Sequence, residues 1–266
     1  MIQPLSYIHP DAKIAQNVVI DPFTVIHHDV EIGEGTWIGS NVTIFEGARI
    51  GKNCSIYPGA SISAIPQDLK FKGEKTYTYI GDNTTLRECV TVNRGTVDKY
   101  KTEIGKNCLI MAYCHIAHDC IIGDHAIIAN CVQLAGHIQI GNYVNIGGLS
   151  AVQQFVKIGD QAFIGGGSMV RKDVPPFVIA AKEPLSYAGI NSVGLKRRNY
   201  TKAQIDQIQD IYRYIFLKNL NVSDALELIA LELDATPERD EIISFVSSSV
   251  QGIMKSPPSK KNAKKD

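Results

Sequence analysis

The 266-residue chain carries no net charge, its 27 lysines and arginines balancing 27 acidic residues. That balance excludes a generally basic surface for gripping nucleic acid, while leaving room for a local basic pocket. Long apolar runs are also missing. None approaches the roughly 18 residues that cross a bilayer, so no membrane span is expected. The opening segment, MIQPLSYIHPDAK, lacks the basic and apolar regions of a secretory leader, and a cytoplasmic location is the expectation. The six cysteines include no CxxC pair. Cys54, Cys108, Cys114 and Cys120 fall on a repeat position that wants small apolar side chains, and they read as reduced core fillers.

What the chain does have is a repeat. An aliphatic residue recurs every sixth position from Ile8 through Ile14, Ile20 and onward to Ile62, then at Ile80, Leu86 and Val92, then from Ile104 to Val170. Four places after each anchor stands a smaller residue, such as Val18, Thr24, Ala60, Ala126 or Ser150; the place after the anchor is often glycine. Period six suits neither an α-helix nor an unbroken strand alternation. It suits a short strand and a tight turn, repeated. Three such units, eighteen residues, close one triangular coil whose anchors point inward and stack on the coil beneath. Glycine, Asn and Asp near the corners are expected to supply the unusual backbone angles of the turns. No single coil buries its apolar face, so stability must come from stacking. The anchors make about eight coils, a prism on the order of 40 Å tall at ~4.8 Å per strand.

Two excursions interrupt the prism, one near 64–79 and a shorter one near 97–103. Insertions into a solenoid map to loops, which often carry function. The repeat stops at Pro175 and Pro176, and the prism is assigned to 1–185. Helices are expected over 186–255. Thr201 and Gln204 make a capping box ahead of Ile205, Ile208, Ile211, Tyr212 and Ile215. Ser223 is read as the cap of a second helix bearing Leu226, Ile229 and Leu233. Thr236 and Pro237 start a third, with Ile242, Phe245, Val246, Val250 and Ile253 on its face. The basic tail 256–266 reads as disordered.

Folds of this kind host several activities, so function has to come from a site. The informative stretch is HIAHDC, His115 to Cys120. His115, His118 and Asp119 occupy outward positions. His137 lies nineteen residues past His118 and Gly136 eighteen, so both belong one coil higher on the same edge. Two imidazoles, a carboxylate and a bare backbone converge there. Histidine takes a hydroxyl proton near neutral pH, and a carboxylate fixes its tautomer. A glycine amide can serve as an oxyanion donor. His9, His27, His28 and His125 lack such company and read as surface.

The run QDLK (Gln67, Asp68, Leu69, Lys70), RECVTVNRGT (Arg87 to Thr96), HIAHDC, LAGH (Leu134 to His137) and GLKRR (Gly194 to Arg198) resembles the UDP-N-acetylglucosamine O-acyltransferases, a hexapeptide-repeat family. The resemblance covers nearly the whole chain. It implies a mainly β fold, a left-handed parallel β-helix followed by a C-terminal α-helical domain. It also implies transfer of an (R)-3-hydroxyacyl group from acyl carrier protein to the 3-hydroxyl of UDP-N-acetylglucosamine, opening lipid A biosynthesis. His118 would be the general base, Asp119 its orienting partner and Gly136 N–H the oxyanion donor. Gln67, Asp68, Lys70, His115 and His137 would hold sugar, diphosphate or acyl groups. Gln154, Asn191, Arg197 and Arg198 would serve the nucleotide, where arginine suits phosphate. Homotrimers with sites between adjacent prisms are implied; no cofactor or metal is expected.

Three positions depart from the family pattern: Gln153 and Pro184 where members carry histidine, and Val193 in place of a glutamate. Gly166 matches the family's acyl-ruler glycine. It lies 48 residues past His118, about 2.7 coils or roughly 13 Å, enough for about ten carbons. The resemblance implies a chain of about fourteen carbons or more. Rival readings are an acyl-carrier-dependent N-acyltransferase acting on an amino-sugar nucleotide, a zinc carbonic anhydrase on the same prism, and a non-catalytic scaffold. QDLK and HIAHDC favour the O-acyltransferase, and the histidine spacings do not resemble the anhydrase.

Overall fold

A computed structural model describes residues 4–255; the basic tail expected at 256–266 lies outside the described residues. The chain winds into a three-sided parallel β-helix. Its first face has nine strands beginning at Tyr7–Ile8, its second eight beginning at Lys13–Ile14, and its third ten beginning at Val19–Ile20. Register advances by eighteen residues per coil: His115 pairs with Gln133 and Gln133 with Ala151. The anchors Ile20, Ile26, Ile38, Ile44, Ile56, Ile110, Ile116 and Ile128 are fully buried. Each contributes about 1.5–3 kcal/mol relative to exposure, and none does so without its neighbours above and below.

The corners work differently from the sequence expectation. The residue three places after the anchor adopts positive φ whether or not it is Asn or Asp, as at Asn107, Tyr113, Asp119, His125, His137 and Leu149. The glycine one place after the anchor has another task. A Cβ on Gly123 would sit 2.8 Å from the backbone nitrogen of Asn142 and 2.8 Å from the Gly141 carbonyl carbon. Here glycine admits the next coil; it does not supply a torsion.

Both excursions leave at the corner between the first and second faces. Strand Ser61–Ala64 is joined to Tyr77–Ile80 by residues 65–76, and Thr91–Asn93 to Lys101–Ile104 by residues 94–100. Lys101, Thr102 and Glu103, read as loop from the sequence, pair in strand with Tyr77, Thr78 and Tyr79.

At the top, Val178–Ala181 pairs antiparallel with Ser186–Ile190, ending the parallel stack. Four helices follow: α1 (Ser192–Arg197), α2 (Lys202–Leu217), α3 (Val222–Glu232) and α4 (Pro237–Ser247). Helix α2 carries the expected capping box, and α4 begins at Thr236 and Pro237. The cap of α3 is Asn221, not Ser223, because the Asn221 side chain reaches the Asp224 N–H. Val250 and Ile253 lie beyond α4. Val250 is exposed, whereas Ile253 bridges back to Asp173, tying the chain's end to the prism. Tyr187 stacks on Phe216 and packs beside Tyr212, whose hydroxyl donates to the Pro176 carbonyl. Among the described residues no helix is long and apolar enough to cross a membrane.

Candidate active site

The site grows from the corner between the first and second faces. His115 begins a two-residue strand of the first face, Ile116 points into the core, and the turn carries His118 and Asp119 outward. Outward does not mean exposed. His118 is only 5% exposed and Asp119 is fully buried, because loop 94–100 folds over them. The loop grips the carboxylate: Thr96 N–H and Lys99 N–H donate to Asp119 Oδ1, and the Thr96 hydroxyl donates to Oδ2 at 2.6 Å. His118 Nδ1 meets Oδ2 at 2.8 Å. Burial alone would push the Asp119 carboxyl up. The hydrogen bonds from His118, Thr96 and Lys99 outweigh it and hold the group at about 2. Asp119 is thus a fixed anion whose remaining contact orients the imidazole.

Gly136 lies directly over that ring. A Cβ there would fall 2.6 Å from His118 Cε1 and 2.8 Å from Nε2. The Gly136 N–H makes no hydrogen bond among the described residues, so a donor without a partner stands above the base. His137 sits beside it, edge-on to the His118 ring at 4.9 Å between centroids and stacked on Phe155. Its Nδ1 meets Asp98 Oδ2 at 2.8 Å. His115 faces the Thr91 hydroxyl at 2.7 Å; burial first, then the neighbouring His118, push its pKa below the usual histidine value, so it is kept neutral.

An open cleft of about 330 Å³ is lined by Gln67, Asn93, His115, His118, Gly136 and Gln154. The structure therefore brings Gln67, His115, His118, Gly136 and Gln154 together, with Asp119 and His137 behind and beside them. It leaves the rest apart. Asp68 closes a local turn onto the Lys70 N–H, and Lys70 is exposed. Asn191 caps α1 through the Gly194 N–H and donates to the Gln161 carbonyl. Arg197 is exposed. Arg198 donates to the Tyr143 carbonyl and lies over the Tyr143 ring, at the corner between the second and third faces. Gly166 lies at the corner between the third and first faces, between Phe163–Ile164 and Met169–Val170. The coil count treated it as standing above His118; within one chain the first face separates the two.

Sequence reasoning missed Thr96, Asp98, Lys99 and Thr91. Thr96 meets Asp119 at a separation of 23 residues, a coil plus five, because the second excursion breaks the eighteen-residue bookkeeping. The loop's polar run, TVDKYK, was the available signal.

Comparison with known proteins bears on the same arrangement. Residues 173–254 match the family model described as UDP-N-acetylglucosamine O-acyltransferase domain 2, residues 101–136 match the bacterial transferase hexapeptide model, and residues 2–102 match that of the GMPPB C-terminal domain. An acyl-[acyl-carrier-protein]–UDP-N-acetylglucosamine O-acyltransferase of Chlorobaculum parvum is 49% identical over 94% of this chain and 96% of its own. The chain belongs to the UDP-N-acetylglucosamine O-acyltransferase family. Solved acyltransferases of the family superpose closely. That of Bacteroides fragilis gives a TM-score of 0.95 at 45% identity, covering 96% of this chain and 100% of its own. That of Acinetobacter baumannii gives 0.93 at 41%, covering 96% and 99%. None of the three departures from the family pattern lines the cleft. Gln153 and Val193 are exposed, and Pro184 lines an apolar cavity of about 470 Å³ with Met169, Leu185 and Met254.

Proposed function

We propose that this acyltransferase moves an (R)-3-hydroxyacyl group from acyl carrier protein to the 3-hydroxyl of UDP-N-acetylglucosamine, the first step of lipid A biosynthesis. One observation carries the mechanism: a buried His118–Asp119 pair with the unpartnered Gly136 N–H above the imidazole. Asp119 accepts from Nδ1 and leaves the lone pair on Nε2. Nε2 takes the proton of the sugar hydroxyl as its oxygen attacks the thioester carbonyl. The carbonyl oxygen gains the negative charge and accepts from Gly136 N–H. When the tetrahedral intermediate collapses, the carbon–sulfur bond breaks, and the imidazolium returns its proton to the departing thiolate. Asp119 stays ionised throughout and stabilises the imidazolium.

The working unit in this reading is a homotrimer. Phe23, Tyr113 and Leu149 expose apolar side chains along the corner between the third and first faces, at 58%, 61% and 74%. A closed ring of three would set this apolar edge beside the next protomer's catalytic corner. Gly166 lies on the same edge and would then meet an acyl chain starting at a neighbour's His118. Asp68 and Lys70, on loop 65–76, would act on substrate across that junction, and Asn191, Arg197 and Arg198, near the second–third corner, would serve its nucleotide end.

The test is an assay of the purified protein with UDP-N-acetylglucosamine and 3-hydroxyacyl-carrier thioesters of 10 to 16 carbons. Ester formation at the 3-oxygen, fastest with one chain length, is the expected result. Transfer with none of the donors would sink the assignment. Sedimentation at a monomer mass under assay conditions would overturn the shared-site arrangement.

A further inference from the structure

The acyl-transfer mechanism uses His118 and Asp119, but the structure gathers more ligand atoms there than that chemistry needs. His118 Nδ1 lies 2.8 Å from Asp119 Oδ2, and His137 Nδ1 lies 3.8 Å from the same oxygen. Asp98 Oδ2 approaches His137 Nδ1 at 2.8 Å from the other side. One donor atom from each of His118, Asp119 and His137 falls within 4.8 Å of the others. Among the described residues no other group of three His, Cys, Asp or Glu side chains converges in this way. A tetrahedral zinc ion with bonds of about 2.0–2.1 Å to nitrogen and oxygen keeps its ligand atoms roughly 3.3 Å apart. The observed separations bracket that spacing. Asp98, whose side chain is 55% exposed on loop 94–100, is free to close the fourth position.

We propose that Zn²⁺ binds reversibly across His118, His137, Asp119 and Asp98 and thereby switches the enzyme off. The ion takes the place of the proton on each Nδ1, and each ring takes up a proton from solvent at Nε2 in exchange, so both imidazoles stay neutral and no net proton is released. With Nδ1 on the metal, the neutral His118 imidazole carries its one proton on Nε2 instead. No lone pair then remains for the sugar hydroxyl. Inhibition rests on the reading of His118 as general base; binding rests on geometry alone.

Two features make the site inhibitory and reversible, unlike a resident catalytic centre. Asp119 Oδ2 would divide its charge between the ion and the Thr96 hydroxyl, which donates to it from 2.6 Å. The Lys99 ammonium, held 3.0 Å from the Asp119 carbonyl, repels a second cation beside it. No ligand position is left open to water, which a catalytic zinc would need.

The test titrates the metal-stripped full-length protein with Co²⁺, reading its visible absorption, and then displaces Co²⁺ with Zn²⁺. Acyl transfer is followed in parallel with added Zn²⁺ and after chelation. The expected result is one Co²⁺ per chain with the intense band of a four-coordinate site, displaced by Zn²⁺. Zn²⁺ should inhibit over the same concentration range, and a chelator should restore transfer. Asp98→Ala, on an exposed loop, and His137→Gln should each weaken Co²⁺ binding by at least about tenfold. Absence of saturable binding, or binding unchanged in both variants, overturns the site. Binding at this site, lost in His137→Gln, with transfer undiminished overturns the inhibition and the His118 base together. Absence of binding leaves the base reading untouched, so the two failures are distinguishable.

Discussion

His125 and His137 hold the same place in the repeat, three residues after the anchors Ile122 and Leu134, and both take a left-handed turn at φ 59° and 63°. Each stacks on an aromatic ring one coil above. His125 lies on Tyr143 at 4.5 Å, and His137 on Phe155 at 4.6 Å. There the likeness ends. The His125 side chain is exposed and makes no hydrogen bond among the described residues, whereas His137 contacts Asp98 and faces the buried His118. The repeat builds the aromatic stack at either corner. What differs is cover: loop 94–100 lies over the first–second corner, whereas among the described residues no inserted loop lies over His125 and Arg198 reaches only the Tyr143 ring above it. The fold supplies edges, and an insertion turns one edge into a site.

The sharpest way to break this contrast is to remove an imidazole from each corner. His118→Ala should lower turnover by about 10³-fold, within the range for a lost general base. His125→Ala should stay within about twofold of the parent. Steady-state kinetics on both, with circular dichroism to check the fold, decides the matter. Near-normal turnover without His118, or a comparable loss without His125, would dissolve the distinction between the corners.

Glycine sharpens the comparison at a second level. A methyl group on Gly136 meets the His118 ring, a side chain that can rotate away; one on Gly123 meets backbone of the next coil. Gly136→Ala should therefore keep its melting temperature but lose about 10²-fold in kcat, as the base is pushed from its partner. Gly123→Ala should keep its per-molecule activity and lose about 1–3 kcal/mol of stability through overpacking. Thermal melts and kcat for both variants test the assignment. If Gly136→Ala melts early and works normally, the glycine is architectural and the oxyanion role fails.

The same contrast explains what was legible in the sequence. Period six depends on the anchor side chains alone, so the prism, its eighteen-residue register and the stacking of Gly136 over His118 could all be read by counting. Counting fails wherever a loop intervenes. Thr96, Asp98 and Lys99 reach the site through the second excursion, whose path no period describes. It fails also for Gly166, where 48 residues is not a multiple of eighteen and lands on another corner. Asn191 shows a third limit. A residue type suited to binding nucleotide is equally suited to capping a helix, and the cap that the Asn191 side chain makes on α1 is one that counting does not foretell.

The smallest effect tests the cover itself. Asp119 is held at about 2, well below the ordinary carboxylate value. A depressed folded-state pKa adds stability that is complete above the unfolded value of ~3.9 and is lost as pH falls toward 2. The acid limb of kcat/KM should therefore carry no carboxylate titration from Asp119 between pH 4 and 6. Thr96→Val deletes the hydroxyl donor to Oδ2 and leaves the two backbone donors to Oδ1 in place. The carboxyl pKa should rise, the midpoint of acid unfolding should move to higher pH, and kcat should fall by about tenfold, the worth of one buried charge-assisted hydrogen bond. Thr96→Ser, which keeps the hydroxyl, should recover most of both. A Thr96→Val enzyme with parental kcat and an unmoved acid midpoint would mean that loop 94–100 covers the dyad without holding it. The difference between the two corners would then be shelter from water alone.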